Sequence, residues 1–361
     1  MIGRIFALSI VVTVLALVVA FVYGGWEAVA LAAILGVLEI SLSFDNAVIN
    51  ATVLERMSAF WQRMFLTVGM IIAVFGMRLL FPLLIVWVTA GLNPVEAFRL
   101  AMNPPPDGAE QFADGSPSYE TILTDAHPQI AAFGGMFLFM LFLNFILSNR
   151  DLTWLTWLER PLSKIGRLSA LPVVLASVTL VLVAEFLAPD EIRSTVLIAG
   201  ILGMVTYLMV DGLSALFQSD SDLRDSGPSG AAKATGKAGF FLFLYLEVLD
   251  ASFSFDGVIG AFAITADPII IALGLGFIGA LFVRSITIYL VRTGTLASYR
   301  YLEHGAHWAI GALAVILLLS IEFHINDVVT GLIGVVFIGA ALFSSVVANR
   351  RDQRRAIAAR R

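Results

Sequence analysis

Residues 239–264 read "GFFLFLYLEVLDASFSFDGVIGAFAI". The run exceeds the roughly 20 apolar residues that a helix needs to cross hydrocarbon, yet it contains Glu247, Asp250 and Asp256. A shorter copy, "EISLSFDN", stands at 39–46 with Glu39 and Asp45. Both the fold and the chemistry turn on acids placed twice in segments that otherwise suit lipid.

The whole chain has the same character. Of its 361 residues 59% are hydrophobic and 14% charged, and the mean hydropathy of +0.92 lies outside the range of soluble domains. Closed barrels would show alternating segments of about 10 residues, so the class is an all-α polytopic membrane protein. With no cysteine, disulfides, thiolate metal sites and thiol catalysis are excluded. The net charge of -5 gives no sign of a nucleic-acid partner. The first segment, after Arg4, is longer than a secretory core and no A-x-A site follows at the right place, so it reads as a retained helix.

Breaks at charge, proline and glycine divide the chain into ten candidate spans: 5–23, 27–50, 64–90, 129–148, 171–188, 194–217, 239–264, 269–291, 305–322 and 326–347. With the N-terminus inside, the inner loops and tail collect eighteen Lys and Arg, while the outer loops hold only Arg99 and Arg193. The positive-inside rule then places both termini in the cytoplasm. An acidic, turn-rich outer loop spans 92–127, and 219–238 reads as a flexible inner linker. "SLSFDNAVINA" falls on span 2 and "SFSFDGVIGA" on span 7, with Arg78 and Arg284 on the spans that follow. Five helices separate the copies, so they run in opposite directions. The expected architecture is two inverted five-helix repeats, 1–190 and 191–348, with a basic tail at 349–361. Secondary transporters of that type bind their cargo near the midplane.

Charge at the bilayer centre costs about 2.5–3.5 kcal/mol per residue on insertion scales. Seven acids lie within the spans more than two residues from an end (Glu39, Asp45, Glu185, Asp211, Glu247, Asp250 and Asp256) against two arginines. A cation bound by carboxylates would offset the excess. Glu39, Asp45, Asn46, Glu247, Asp250 and Asp256 are the expected ligands, supported by Ser43, Ser254, Asp211, Arg78 and Arg284. Their hard oxygens suit Mn, Mg or Ca rather than Zn or Cu. The imidazoles, His304 and His307, read as an interfacial pair, and Asn144 as a bond between helices. On an ideal helix Glu247, Asp250 and Ser254 share a face while Asp256 points away. Either the acids line a path at successive depths, or the helices break at the Ser-Phe-Asp-Asn and Ser-Phe-Asp-Gly steps. We favour the break, which Asn46 and Gly257 tolerate.

At these residues the sequence resembles the TerC family of bacterial membrane proteins, in a branch of unknown function. "LEISLSFDNAVINA", "YLEVLDASFSFDGVIGAFAITADP" and the two arginines carry the resemblance. Glu247, Asp250, Phe253 and Asp256 match the pattern E-x-x-D-x-x-F-x-x-D-S, with Gly257 in place of its serine. The resemblance implies export of manganese or a related divalent cation from the cytoplasm, and the family is also named for tellurium resistance. The sequence thus suggests a secondary transporter in the inner membrane, with protons as a candidate counter-ion and no catalytic cofactor. No G-x-S-x-G or H-E-x-x-H set points to an enzyme. The alternative is a membrane metal sensor or stress scaffold that does not transport.

Overall fold

The structure, a computed structural model, describes residues 2–80, 83, 87, 92–105, 109–150, 152–166, 168, 170–222, 234–262, 264–265, 267–293, 299–323, 325 and 327–358. Among them every regular element is a helix, with only isolated bridges such as the pair Met57 and Ala234. Six stretches of the described residues are long and apolar enough to cross a membrane, including Ile5–Ile40, Tyr119–Leu147 and Pro268–Thr293.

The first stretch is two helices rather than one. Helix α1 (Ile2–Leu42) leaves helical geometry at Gly24 (φ -141°, ψ 20°) and Gly25 (φ 67°, ψ -152°), a pair of dihedrals that only glycine adopts without strain at residue 25. The partners on each side show that the chain doubles back. In the first arm the Ser9 hydroxyl donates to the Leu281 carbonyl at 2.7 Å and lies 2.7 Å from Ser285 Oγ, and the Tyr23 hydroxyl donates to Asp267 at 2.9 Å. In the second arm Leu35 and Gly36 lie against Gly274 and Ile278, and Glu39 against Gly279. One arm therefore runs from the level of residue 285 to that of 267, and the other returns to 279. Ala16, Ala20, Ala28 and Ala32 are buried along this hairpin, small side chains that let helices approach where the surroundings are as apolar as the residues themselves.

The hairpin packs on a composite rod built of α10 (Pro268–Ile271), the π-helix π3 (Ala272–Ala280) and α11 (Leu281–Thr293). Asp267 caps it by accepting from the Ile269 and Ile270 N–H groups. The span expected at 64–90 has the same character: α3 (Ala59–Met64) continues into π1 (Phe65–Gly69) and, two residues on, π2 (Ile72–Leu80). A π turn widens the helix by one residue and frequently marks a functional position.

Between these come α2 (Phe44–Glu55), α4 (Pro94–Met102), α5 (Tyr119–Leu147), α6 (Thr156–Ile165), α7 (Leu171–Phe186), α8 (Arg193–Asp222) and α9 (Gly236–Phe262), followed after the rod by α12 (Leu302–Leu319) and α13 (Asp327–Ala358). Helix α5 is the central post. Met136, Phe137 and Leu138 are consecutive and all fully buried, so neighbours cover it on every side.

Three segments named from the sequence contain helix. The segment 92–127, read from the sequence as an outer loop, contains α4, because Asn93 and Glu96 form a reciprocal capping box with Pro94 in the first turn. In the linker 219–238, α8 runs to Asp222 and α9 begins at Gly236, while 223–233 lie outside the described residues. The basic tail begins as helix, since α13 reaches Ala358 and Arg300 pairs with Asp352.

Gly25 has open space where a Cβ would stand, so its substitution tests backbone strain alone. Gly25→Ala is expected to destabilise the fold by about 1–3 kcal/mol, read as a lowered melting temperature of the detergent-solubilised protein, with Gly3→Ala as an unstrained control.

Candidate cation site

Helices α2 and α9 carry the acidic copies past each other. Asn46 and Asn50 stand one turn apart on α2 and face α9. Both amides donate to one oxygen of Asp250, Asn46 Nδ2 at 2.7 Å and Asn50 Nδ2 at 3.3 Å from Oδ1. Only the NH₂ end of an amide can bond a carboxylate, so the acceptor fixes both orientations. The Asn50 Oδ1 is left buried with no partner among the described residues.

Glu247 lies one turn before Asp250 on α9 and is 6% exposed. Both of its carboxylate oxygens are buried and have no hydrogen-bond partner among the described residues. Its place is made by Gly69 at the end of π1: a Cβ there would stand 2.5 Å from Glu247 Oε1. An isolated ionised carboxylate is costly in such a place unless a cation or a proton joins it.

Glu39 occupies the mirrored position in the other copy. Its Cβ and Cγ fill the place that a side chain at Gly279, near the end of π3, would need. Each glutamate thus rests on a π-helical glycine from the opposite half of the chain. Glu39 is 2% exposed and accepts a 2.7 Å hydrogen bond from the Ser43 hydroxyl. The two copies differ here, because Glu39 has a donor one turn away and Glu247 has none among the described residues.

The expected break is present in only one copy. Ser43 leaves helical geometry (φ -96°, ψ 14°) and separates α1 from α2, whereas α9 runs unbroken through the second motif to Phe262. Gly257 permits a break there, but nothing in the backbone demands one. The side chains of Asp45, Ser254, Asp256 and Arg78 lie outside the described residues. Among the described residues no three Asp, Glu or His side chains gather as a metal cluster. The group assembled instead is two carboxylates from α9 and two amides from α2. Asn50 was missed by sequence reasoning, although "DNAVIN" places it one turn beyond Asn46.

Among the described residues Arg284 meets a backbone carbonyl rather than an acid. Its Nε donates to the Leu66 carbonyl in π1 at 2.7 Å, and among the described residues it forms no ion pair. It ties the rod to the π1 segment that holds Gly69. Asp211 is exposed, 3.5 Å from Asn144 Nδ2, which also donates to the Tyr207 hydroxyl at 2.7 Å. With Thr52, Arg56, Tyr245 and His307, Asp211 lines a cavity of about 80 Å³ beside α2. Its wall includes Ile49, the neighbour of Asn50. Near its edge Arg56 pairs with Glu303 at 3.0 Å, and Arg150 reaches the same carboxylate at 3.4 Å.

His304 and His307 both pack their rings against Phe145. His307 Nδ1 lies 2.8 Å from the Glu303 carbonyl, and its ring stacks on Phe145, whose ring also carries the Arg150 guanidinium at 3.7 Å. His304 lies 3.1 Å from the buried Glu159.

Long apolar helices around a buried group of acids and amides define the class: a multi-pass helical membrane protein with a polar site inside its bundle. Within that class the chain belongs to the family described as "Protein of unknown function (DUF475)", whose model matches residues 44–352. No curated protein and no solved structure matches it.

The close approaches at the two glycines give a direct test. Gly69→Ala and Gly279→Ala should each cost about 1–3 kcal/mol by overpacking, measured as lowered melting temperatures. Unchanged stability in both would show that the glutamates do not rest there.

Proposed function

We propose that the protein is a secondary membrane transporter that carries a divalent metal cation through the Glu247 and Asp250 site. The observation that carries this reading is Glu247, buried with both oxygens unpartnered among the described residues, one turn from an acid that two amides hold in place. A structural carboxylate is expected to have donors, as Glu159 does; one without them suits an exchangeable positive charge. Glu247, Asp250 and the free Asn50 Oδ1 are hard oxygen donors, the type that binds Mn, Mg and Ca. Manganese comes first among these through the TerC resemblance alone. Protons are the natural counter-ion, because a carboxylate that releases a metal at low dielectric takes up a proton.

The crossed pairing of Glu39 with Gly279 and Glu247 with Gly69, each at the end of a π segment, supports the reading of ten spans as two inverted five-helix repeats. The cavity beside Ile49 gives a hydrated ion a place to wait next to the site. Since the positive-inside rule puts Arg56, Arg150 and the tail in the cytoplasm, loading is from the cytoplasmic side and transport is export across the inner membrane.

Flux in proteoliposomes tests this. Manganese should move down an imposed gradient faster than Mg, Ca or Zn, and Glu247→Gln or Asp250→Asn should cut that flux at least 10-fold while the protein remains folded. Glu247→Gln should leave the melting temperature unchanged or raise it, because it removes an uncompensated charge. Metal binding without flux under any gradient would favour a membrane metal sensor of the tellurium-resistance type.

A further inference from the structure

Between α5 and α7 the chain forms α6, ten residues that reach only about 15 Å, too short to cross a bilayer. Two anchors lay it across the end of the bundle. At its C-terminal end Gly166 sits directly on the Leu147 carbonyl, the last residue of α5, where a Cβ would clash. At its middle Glu159 is 3% exposed and fully satisfied. It accepts from Trp308 Nε1 at 3.0 Å and from the backbone N–H groups of Trp154 and Leu155 at 2.9 and 3.3 Å, with His304 at 3.1 Å.

Pinned on that side, α6 turns a fixed face outward. Trp157 is 76% exposed, Ile165 55%, and Leu168 just beyond the helix 65%. Arg160 and Lys164, one turn apart, are exposed between them, and neither has an acidic partner among the described residues. A large indole and aliphatic side chains beside two free cations on a short helix are the composition of a membrane-surface helix. The apolar helices α5 and α7 lead away from α6 on either side, so a bilayer spanned by them would have its headgroups at this level.

We propose that this face of α6 binds the headgroups of anionic phospholipids, with Arg160 and Lys164 on the phosphodiesters and Trp157 among the upper acyl carbons. A basic residue near an anionic surface contributes about 1 kcal/mol, so losing two corresponds to about 30-fold in affinity. The proposal does not depend on the transport reading.

The full-length protein in nanodiscs of phosphatidylglycerol or of phosphatidylcholine provides the test. Phosphatidylglycerol should raise the melting temperature, and Arg160→Gln with Lys164→Gln should remove that increment and weaken phosphatidylglycerol binding about 30-fold, leaving the phosphatidylcholine value unchanged. Brominated lipid should quench wild-type tryptophan fluorescence more than that of Trp157→Phe. An unchanged lipid preference in the double variant, or equal quenching in Trp157→Phe, overturns the proposal. Equal stabilisation by inorganic phosphate in phosphatidylcholine would also overturn it, in favour of a site for free phosphate.

Discussion

A carboxylate inside a membrane bundle needs a donor, a cation or a proton, because lipid supplies none of them. Much of the structure follows from that constraint. Asp250 is held by two amides from another helix, and Glu39 by the hydroxyl of Ser43, just past the end of its own helix. Glu159, at the end of the bundle, gathers an indole, an imidazole and two backbone N–H groups. Among the described residues Glu247 alone of these four is given space but no donor. The helices come close enough to enclose it because residue 69 has no side chain.

Packing and site are therefore one arrangement. The hairpin folded at Gly24 and Gly25 brings Glu39 to the rod, and Arg284 on that rod holds the Leu66 carbonyl of π1. Gly69, three residues past Leu66, receives Glu247 from α9. A displacement of the rod would thus be felt at the glutamate pocket through packed backbone, not through a long-range charge effect.

The all-helical membrane class was legible in composition and in runs such as 239–264. The first hairpin was legible as well, since Gly24 and Gly25 interrupt an otherwise apolar stretch. Asn46 and Asp250 were marked by the repeated acidic motif, but Asn50 lay just past the motif and looked like an ordinary polar residue in a helix. The glycine contacts were illegible in principle: Gly69 and Gly279 are two of 30 glycines, and only tertiary structure shows which ones face an acid. The second motif misled because a glycine that tolerates a broken helix does not require one, and α9 keeps its backbone bonds. The first breaks at Ser43, a residue type whose hydroxyl competes for local hydrogen bonds.

The exchange of glutamate and glycine between the two halves also has a bearing on synthesis. Glu39 and its glycine partner are 240 residues apart in the chain. At the usual pace of translation, about 5–20 residues per second, Gly279 emerges roughly 12–48 s after Glu39. During that interval an acid-bearing helix waits in or beside the membrane without the surface that will enclose it. The early helices therefore depend on late ones for their final burial, and the enclosure of Glu39 is completed only when the second half arrives.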